Sequence, residues 1–184
     1  RAIAHHSFHV FEVYPWVGQL DVDLALRMTT LSWLMVLLVG GVGALALVYC
    51  ARYFSAGEPG LARFAGVFVG FAGAMLSLVV SDNLVVLYVF WELTTVFSYL
   101  LIGHDPASRA SRAAATQALI VTTLGGLAML VGIIMLGEHA GSYRWSEVAA
   151  NPPTGAYLSV ALVLLIAGAL SKSAIFPFSF WLPA

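Results

Sequence analysis

A chain of 184 residues that is 61% hydrophobic and 9% charged has too little polar surface to coat a water-soluble core, since soluble domains carry about a quarter charged residues. The net charge of −1 excludes the basic footprint of a nucleic-acid binder. A single cysteine, Cys50, excludes an internal disulfide or a thiolate metal centre and reads as an inert residue near a helix end.

Residues 1–23 mix polar, aromatic and acidic side chains, and Pro15 and Gly18 break any helix there. The segment reads as an extracytoplasmic loop. His5 and His9, with His6 between them, are spaced to share a metal only on a helix, so no metal site is expected. Residues 24–184 read as a transmembrane region. The first span covers 29–49, because about 20 apolar residues at ~1.5 Å rise cross a ~30 Å hydrocarbon core. Residues 51–63, with Arg52, Glu58, Pro59, Gly60 and Arg63, have loop chemistry. The second span, 64–80, contains Gly66 and Gly70 in a spacing that permits close helix approach.

Ser81, Asp82 and Asn83 form a tight polar turn. The third span, 84–102, holds Glu92, and 103–112 is a polar loop. The fourth span, 113–136, is followed by a longer polar loop, 137–155. The last apolar stretch, 156–182, would be ~40 Å long as one straight helix. Pro177 cannot bond the carbonyl of Ser173, so the helix is expected to break there. The expected fold class is all-α: a polytopic membrane protein with about five transmembrane helices, the last broken at Pro177. The chain starts at Arg1 and stops within an apolar stretch, which reads as an internal segment of something longer. Arg52 and Arg63 in one loop and Arg109 and Arg112 in another place loops 51–63 and 104–112 in the cytoplasm.

Glu92 lies near the middle of its span, where an ionised acid costs roughly 2.5–3.5 kcal/mol on insertion scales. Such a residue is expected to serve as a protonatable or ion-binding site. Tyr88, Thr95 and Tyr99 share its helix face and could bond the carboxylate or hold water beside it. Lys172 falls inside the last apolar stretch, flanked by Ser171 and Ser173, which can satisfy backbone groups freed by a break. A lysine beside a broken helix is a transporter device. Opposite charges stabilise each other's ionised forms while burial favours the neutral ones, so Glu92 and Lys172 together make a plausible switch. Gln117, with Thr116, Thr122 and Thr123, is a candidate for a polar path. His104 and Asp105 read as cap chemistry at a helix exit. No phosphate loop or dinucleotide fingerprint is present, and no cofactor is expected.

The run Phe90-Trp91-Glu92-Leu93-Thr94-Thr95 through Ser98-Tyr99-Leu100-Leu101-Ile102-Gly103 resembles the fifth transmembrane helix of the antiporter-like subunits. That superfamily includes Mrp antiporter subunits and the large proton-pumping subunits of respiratory complex I. Lys172-Ser173-Ala174, with Phe176-Pro177-Phe178 and Phe180-Trp181-Leu182-Pro183, resembles the broken seventh helix. Trp91-Glu92-Leu93-Thr94 and the stretch Val121 to Leu127 resemble the A-type subunit of Mrp antiporters rather than complex I. Ile175 and Ser179 depart from the family, which often has Gln and His at those positions.

The resemblance implies that Glu92 and Lys172 form a proton-transfer pair in a secondary transporter, not an enzyme. It implies a multi-pass protein of a bacterial plasma membrane, with other antiporter subunits as partners and protons and Na⁺ or K⁺ as cargo. The rival expectations are a proton-pumping subunit of complex I and a non-conducting structural subunit that keeps the fold.

Overall fold

The computed structural model describes residues 10–18, 22–55, 60–105, 107–152 and 154–182. His5, His6 and His9 lie outside these residues. The segment 1–23, expected to be a loop, contains the strand β1 (Val10–Val17), and an antiparallel strand β2 (Val22–Met28) runs past its end into the region expected to be transmembrane, with Val13 opposite Ala25. Alternating aliphatic and polar residues in Val22–Met28 favour a half-buried strand. The ladder slips between Pro15 and Val17, and a proline is tolerated in a strand at such an irregularity.

The remaining elements are helices: α1 (Thr30–Tyr53), α2 (Leu61–Val80), α3 (Leu84–Ile102), α4 (Arg109–Ala140), α5 (Trp145–Ala150) and α6 (Ala156–Lys172). A single 3-10 turn follows at Ser179–Trp181. Helices α1 to α4 are each long and apolar enough to cross a membrane, and α6 is a shorter apolar helix. The mostly helical, polytopic membrane architecture is thus the observed one, with the small hairpin added. Helix α3 starts at Leu84 because the side chain of Asn83 accepts from the backbone N–H groups of Val85 and Val86 and caps it. Helix α4 starts before the expected 113 because Ser108 caps it through Ser111. It continues past 136 to Gly141, whose positive φ of 70° ends it. Helix α5 lies within the stretch expected to be the loop 137–155.

The hairpin docks on the α2–α3 turn and the α4–α5 connection. Arg144 pairs with Asp23, and Arg27 lies 3.7 Å from the carboxylate of Asp82. Ser146 donates to the same carboxylate at 2.5 Å, and the Asp82 N–H donates to the carbonyl of Ala25 at 2.8 Å. Tyr143 donates to Glu138, and burial followed by that bond raises the Tyr143 pKa above its ordinary value, so the phenol remains a donor. At the other end, the rings of Phe54, Phe64 and His104 meet, and Ser111 donates to the carbonyl of Ile102. The two loop sets therefore occupy opposite ends of the bundle.

Asp82 is 3% exposed. Asp82→Ala removes its carboxylate from Arg27 and Ser146, a loss of about 1–3 kcal/mol. The full protein in detergent is expected to unfold at a lower temperature, and an unchanged midpoint would remove this docking role.

Helix α4 packs most extensively on α6, through glycines. A Cβ on Gly132 would lie 2.8 Å from the carbonyl oxygen of Ala161, and one on Gly168 would lie 2.8 Å from that of Gly125. Overpacking there costs about 1–3 kcal/mol or more. Gly168→Val is therefore expected to lower the amount of assembled protein in membranes, measured against an equally expressed parent. Equal amounts would contradict the close packing.

Helix α6 does not break at Pro177. It ends earlier, at Lys172, with Ser173 as its cap. The N–H of Ile175 bonds the carbonyl of Leu170 at 3.1 Å, and that of Ala174 bonds Ser171 at 3.4 Å, with Ala174 at a φ of 50°. This is a Schellman closure with alanine in the left-handed position that glycine usually fills. Pro177 follows it, in a cis peptide with Phe176.

Candidate functional site

Helix α6 has 17 residues, a rise of about 25 Å, so its last residue stops short of the far side of a ~30 Å core. Lys172 is that residue, and it reaches sideways rather than out to the headgroups. Its Nζ donates to the carbonyl of Trp91 at 2.6 Å, to Thr94 Oγ1 at 2.5 Å and to Thr95 Oγ1 at 2.8 Å. It also lies 4.8 Å from the centre of the Trp91 ring. An ammonium has three N–H donors, and all three are engaged. Thr94 is the eleventh residue of the 19-residue α3, so the ammonium sits near the middle depth of that helix.

Glu92, the ninth residue of α3, faces α4. Its Oε1 is buried without a hydrogen-bond partner among the described residues, and a Cβ on Gly126 would collide with it. The glycine is therefore what lets the carboxylate fit. Glu92 and Lys172 are close enough to attract each other electrostatically. They are not in contact, since the ion pairs among the described residues do not include them at 4.0 Å or less. One backbone unit joins the two, because the lysine bonds the carbonyl of Trp91, the residue before the acid.

A cavity of about 250 Å³ opens beside Lys172 between α2, α3 and α4. Its polar lining is Thr94, Thr95, Ser98, Tyr99, Thr122 and Lys172. Phe71, Met75, Ala118, Leu119 and Trp181 form the rest of its wall, which is mainly apolar. Thr94 donates to the carbonyl of Trp91 at 2.7 Å and Ser98 to that of Thr94 at 2.7 Å, so the hydroxyls sit in a fixed file along α3. The lysine is thus held by neutral oxygens at the edge of a mainly apolar cavity, with a carboxylate close by to bias its charge.

Of the expected polar positions, Thr95 and Tyr99 line this cavity. Thr95 serves the lysine, and neither it nor Tyr99 bonds the Glu92 carboxylate. Tyr88 packs against the apolar cluster of Leu84, Met129 and Ile133 and lies close enough to Glu92 to interact with its charge. Gln117 donates to the carbonyl of Phe180 and ties the segment after α6 to α4. Ser171 is buried against Gly125 and donates to the carbonyl of Gly168. Its own carbonyl, which closes the helix end with the N–H of Ala174, also accepts from Trp181 Nε1 at 2.9 Å. Ser173 is exposed and bonds through its backbone N–H. Thr94, Ser98 and the Trp91 carbonyl are additions to the expected set. Their signal is present as Trp91, Thr94, Thr95 and Ser98, spaced i, i+3, i+4 and i+7 on one helix face.

Residues 81–184 match the family described as NADH:quinone oxidoreductase/Mrp antiporter, transmembrane. Residues 15–65 match the N-terminus of chain 5 of NADH-ubiquinone oxidoreductase, complex I. The chain is 44% identical over 174 residues to a probable K⁺/H⁺ antiporter A/B subunit of Rhizobium meliloti, covering 91% of this chain and 17% of the relative. It is 37% identical over 184 residues to the putative antiporter protein mnhA2 of Staphylococcus haemolyticus, covering 98% of this chain and 23% of that one. The fold matches a chain of the Mrp complex from Dietzia sp. DQ12-45-1b with a TM-score of 0.89 and 34% identity, over 95% of this chain and 19% of the other. It also matches a chain of respiratory complex I from Thermus thermophilus, with a TM-score of 0.79 and 23% identity, over 98% of this chain and 38% of the other. The chain thus spans about a fifth of the length of the curated relatives it matches.

Proposed function

Because the chain belongs to the NADH:quinone oxidoreductase/Mrp antiporter membrane family, we propose that it is part of the A-type subunit of a multisubunit Mrp antiporter that exchanges protons for Na⁺ or K⁺. In this reading protons pass Lys172 and Glu92, and the remaining subunits of the complex are its partners in a bacterial plasma membrane. The observation that carries the reading is Lys172 Nζ held at mid-depth by Trp91, Thr94 and Thr95, beside a cavity whose wall includes the side chains of Ser98, Tyr99 and Thr122. A charge at that depth is costly, and such residues mark ion or proton paths. Arg52, Arg63, Arg109 and Arg112 support a cytoplasmic position for the loops at their end of the bundle.

Among the solved structures, identity is 34% to the Mrp chain against 23% to the complex I chain, which supports the antiporter reading. The test is cation-dependent collapse of a pH gradient in inside-out vesicles that carry the whole complex and lack other antiporters. Exchange with Na⁺ or K⁺, lost in Glu92→Ala and Lys172→Ala at normal assembly, is the expected result. Unchanged exchange per assembled complex in both variants would favour a structural subunit. Co-purification with flavin and iron–sulfur subunits would favour complex I.

A further inference from the structure

A second cavity, of about 160 Å³, lies between α2, α3 and α4 at the end of the bundle where α2 begins and α3 ends. Arg63, Leu100, Gly103, Arg112 and Ala115 line it, together with Tyr99. Tyr99 also lines the Lys172 cavity, and it is the one residue common to the two linings. The remaining walls continue from one cavity to the other in helical steps. On α3, Thr95 precedes Tyr99 by four residues, and Gly103 follows it by four. On α4, Ala115 is succeeded by Ala118, Leu119 and Thr122 on the same face. Ala115 packs closely on α3, since a Cβ on Gly103 would lie 3.3 Å from its side chain, and Tyr99, 36% exposed, is the large side chain at the junction of the two cavities.

We infer that the Tyr99 ring is the constriction between a loop-side vestibule flanked by Arg63 and Arg112 and the inner cavity of Lys172. A small solute or a file of water moving from the outer cavity to the lysine passes this ring. The inference rests on the proton-path reading for what the route normally carries, but not for the existence of the route. It concerns access, which can be read without any transport.

The test uses the full-length protein in its complex, with Cys50 and any other native cysteine replaced and one reporter introduced. Thr122→Cys reports the inner cavity and Leu100→Cys the outer one. A membrane-impermeant, negatively charged methanethiosulfonate, which the two arginines do not repel, is added from the side of the 103–108 loop. With Tyr99 present, position 122 reacts slowly. Tyr99→Ala is expected to speed it about tenfold, as removal of a hydrophobic constriction should, while Tyr99→Phe stays near the parental rate because the ring remains. Position 100 should react at one rate in all three backgrounds, which reports an intact fold. Tyr99→Leu gives the same reading if the alanine variant fails to assemble. Equal rates at position 122 with Tyr99, Phe and Ala, or a Phe variant as fast as Ala, would overturn the inference. Because labelling does not depend on exchange, failure of the antiporter reading and failure of this one are separable.

Discussion

Lys172→Arg in the complete complex is expected to lower proton-coupled exchange by about ten- to a hundredfold, the range set by losing one charge-assisted hydrogen bond. The substitution keeps the positive charge, so a merely structural cation would be satisfied by it. Two features of the site argue otherwise. Three acceptors, the Trp91 carbonyl and the Thr94 and Thr95 hydroxyls, converge on a single nitrogen. A planar guanidinium spreads its donors over three nitrogens and cannot reproduce that geometry. It also stays protonated at every relevant pH, so it cannot pass a proton on. Lys172→Gln loses the charge as well and should be no better. The check is collapse of the pH gradient in inside-out vesicles, normalised to assembled complex. Parental exchange in the arginine variant would mean that a fixed charge at this point is enough.

Glu92→Gln is expected to reduce exchange about tenfold, the effect of removing one charge–charge interaction of ~1.4 kcal/mol. Glutamine has nearly the same shape, so it fits against Gly126 where alanine would leave a void. Its effect therefore isolates the charge. The reciprocal change, Gly126→Ala, keeps the acid but displaces it, because the added Cβ would overlap Glu92 Oε1. If the position of the carboxylate matters, Gly126→Ala should lose exchange to a similar extent with Glu92 intact. Normal exchange in both variants, at normal assembly, would remove Glu92 from the path.

The membrane-spanning helices are legible in the sequence because runs of apolar residues of bilayer length have few other uses. Asn83 marks the start of helix α3 and Gly103 its end. The hairpin is not legible. Pro15 and Gly18 look like breakers, and the contacts that hold the strands, Asp23 to Arg144 and Arg27 to Asp82, join positions far apart in the chain. The end of α6 is hidden for a local reason. Pro177 is conspicuous, whereas a left-handed alanine at position 174 leaves no trace in composition.

In the site, Glu92 and Lys172 stand out because charge inside an apolar run is expensive. The groups that receive the lysine do not, because they are common hydroxyls and one backbone oxygen, brought to it across nearly eighty residues. Helical spacing puts Tyr88, Thr95 and Tyr99 near Glu92, but spacing on one helix cannot show from which side a second helix approaches. Lys172 arrives over Trp91, Thr94 and Thr95.

If Glu92 and Lys172 act as one coupled unit, a double-mutant cycle on exchange rates measures that coupling. Glu92→Gln, Lys172→Gln and the double variant are compared in the whole complex at matched assembly. Coupling predicts a double variant about as slow as the slower single one. Losses that multiply, each substitution acting as though the other were absent, would contradict it.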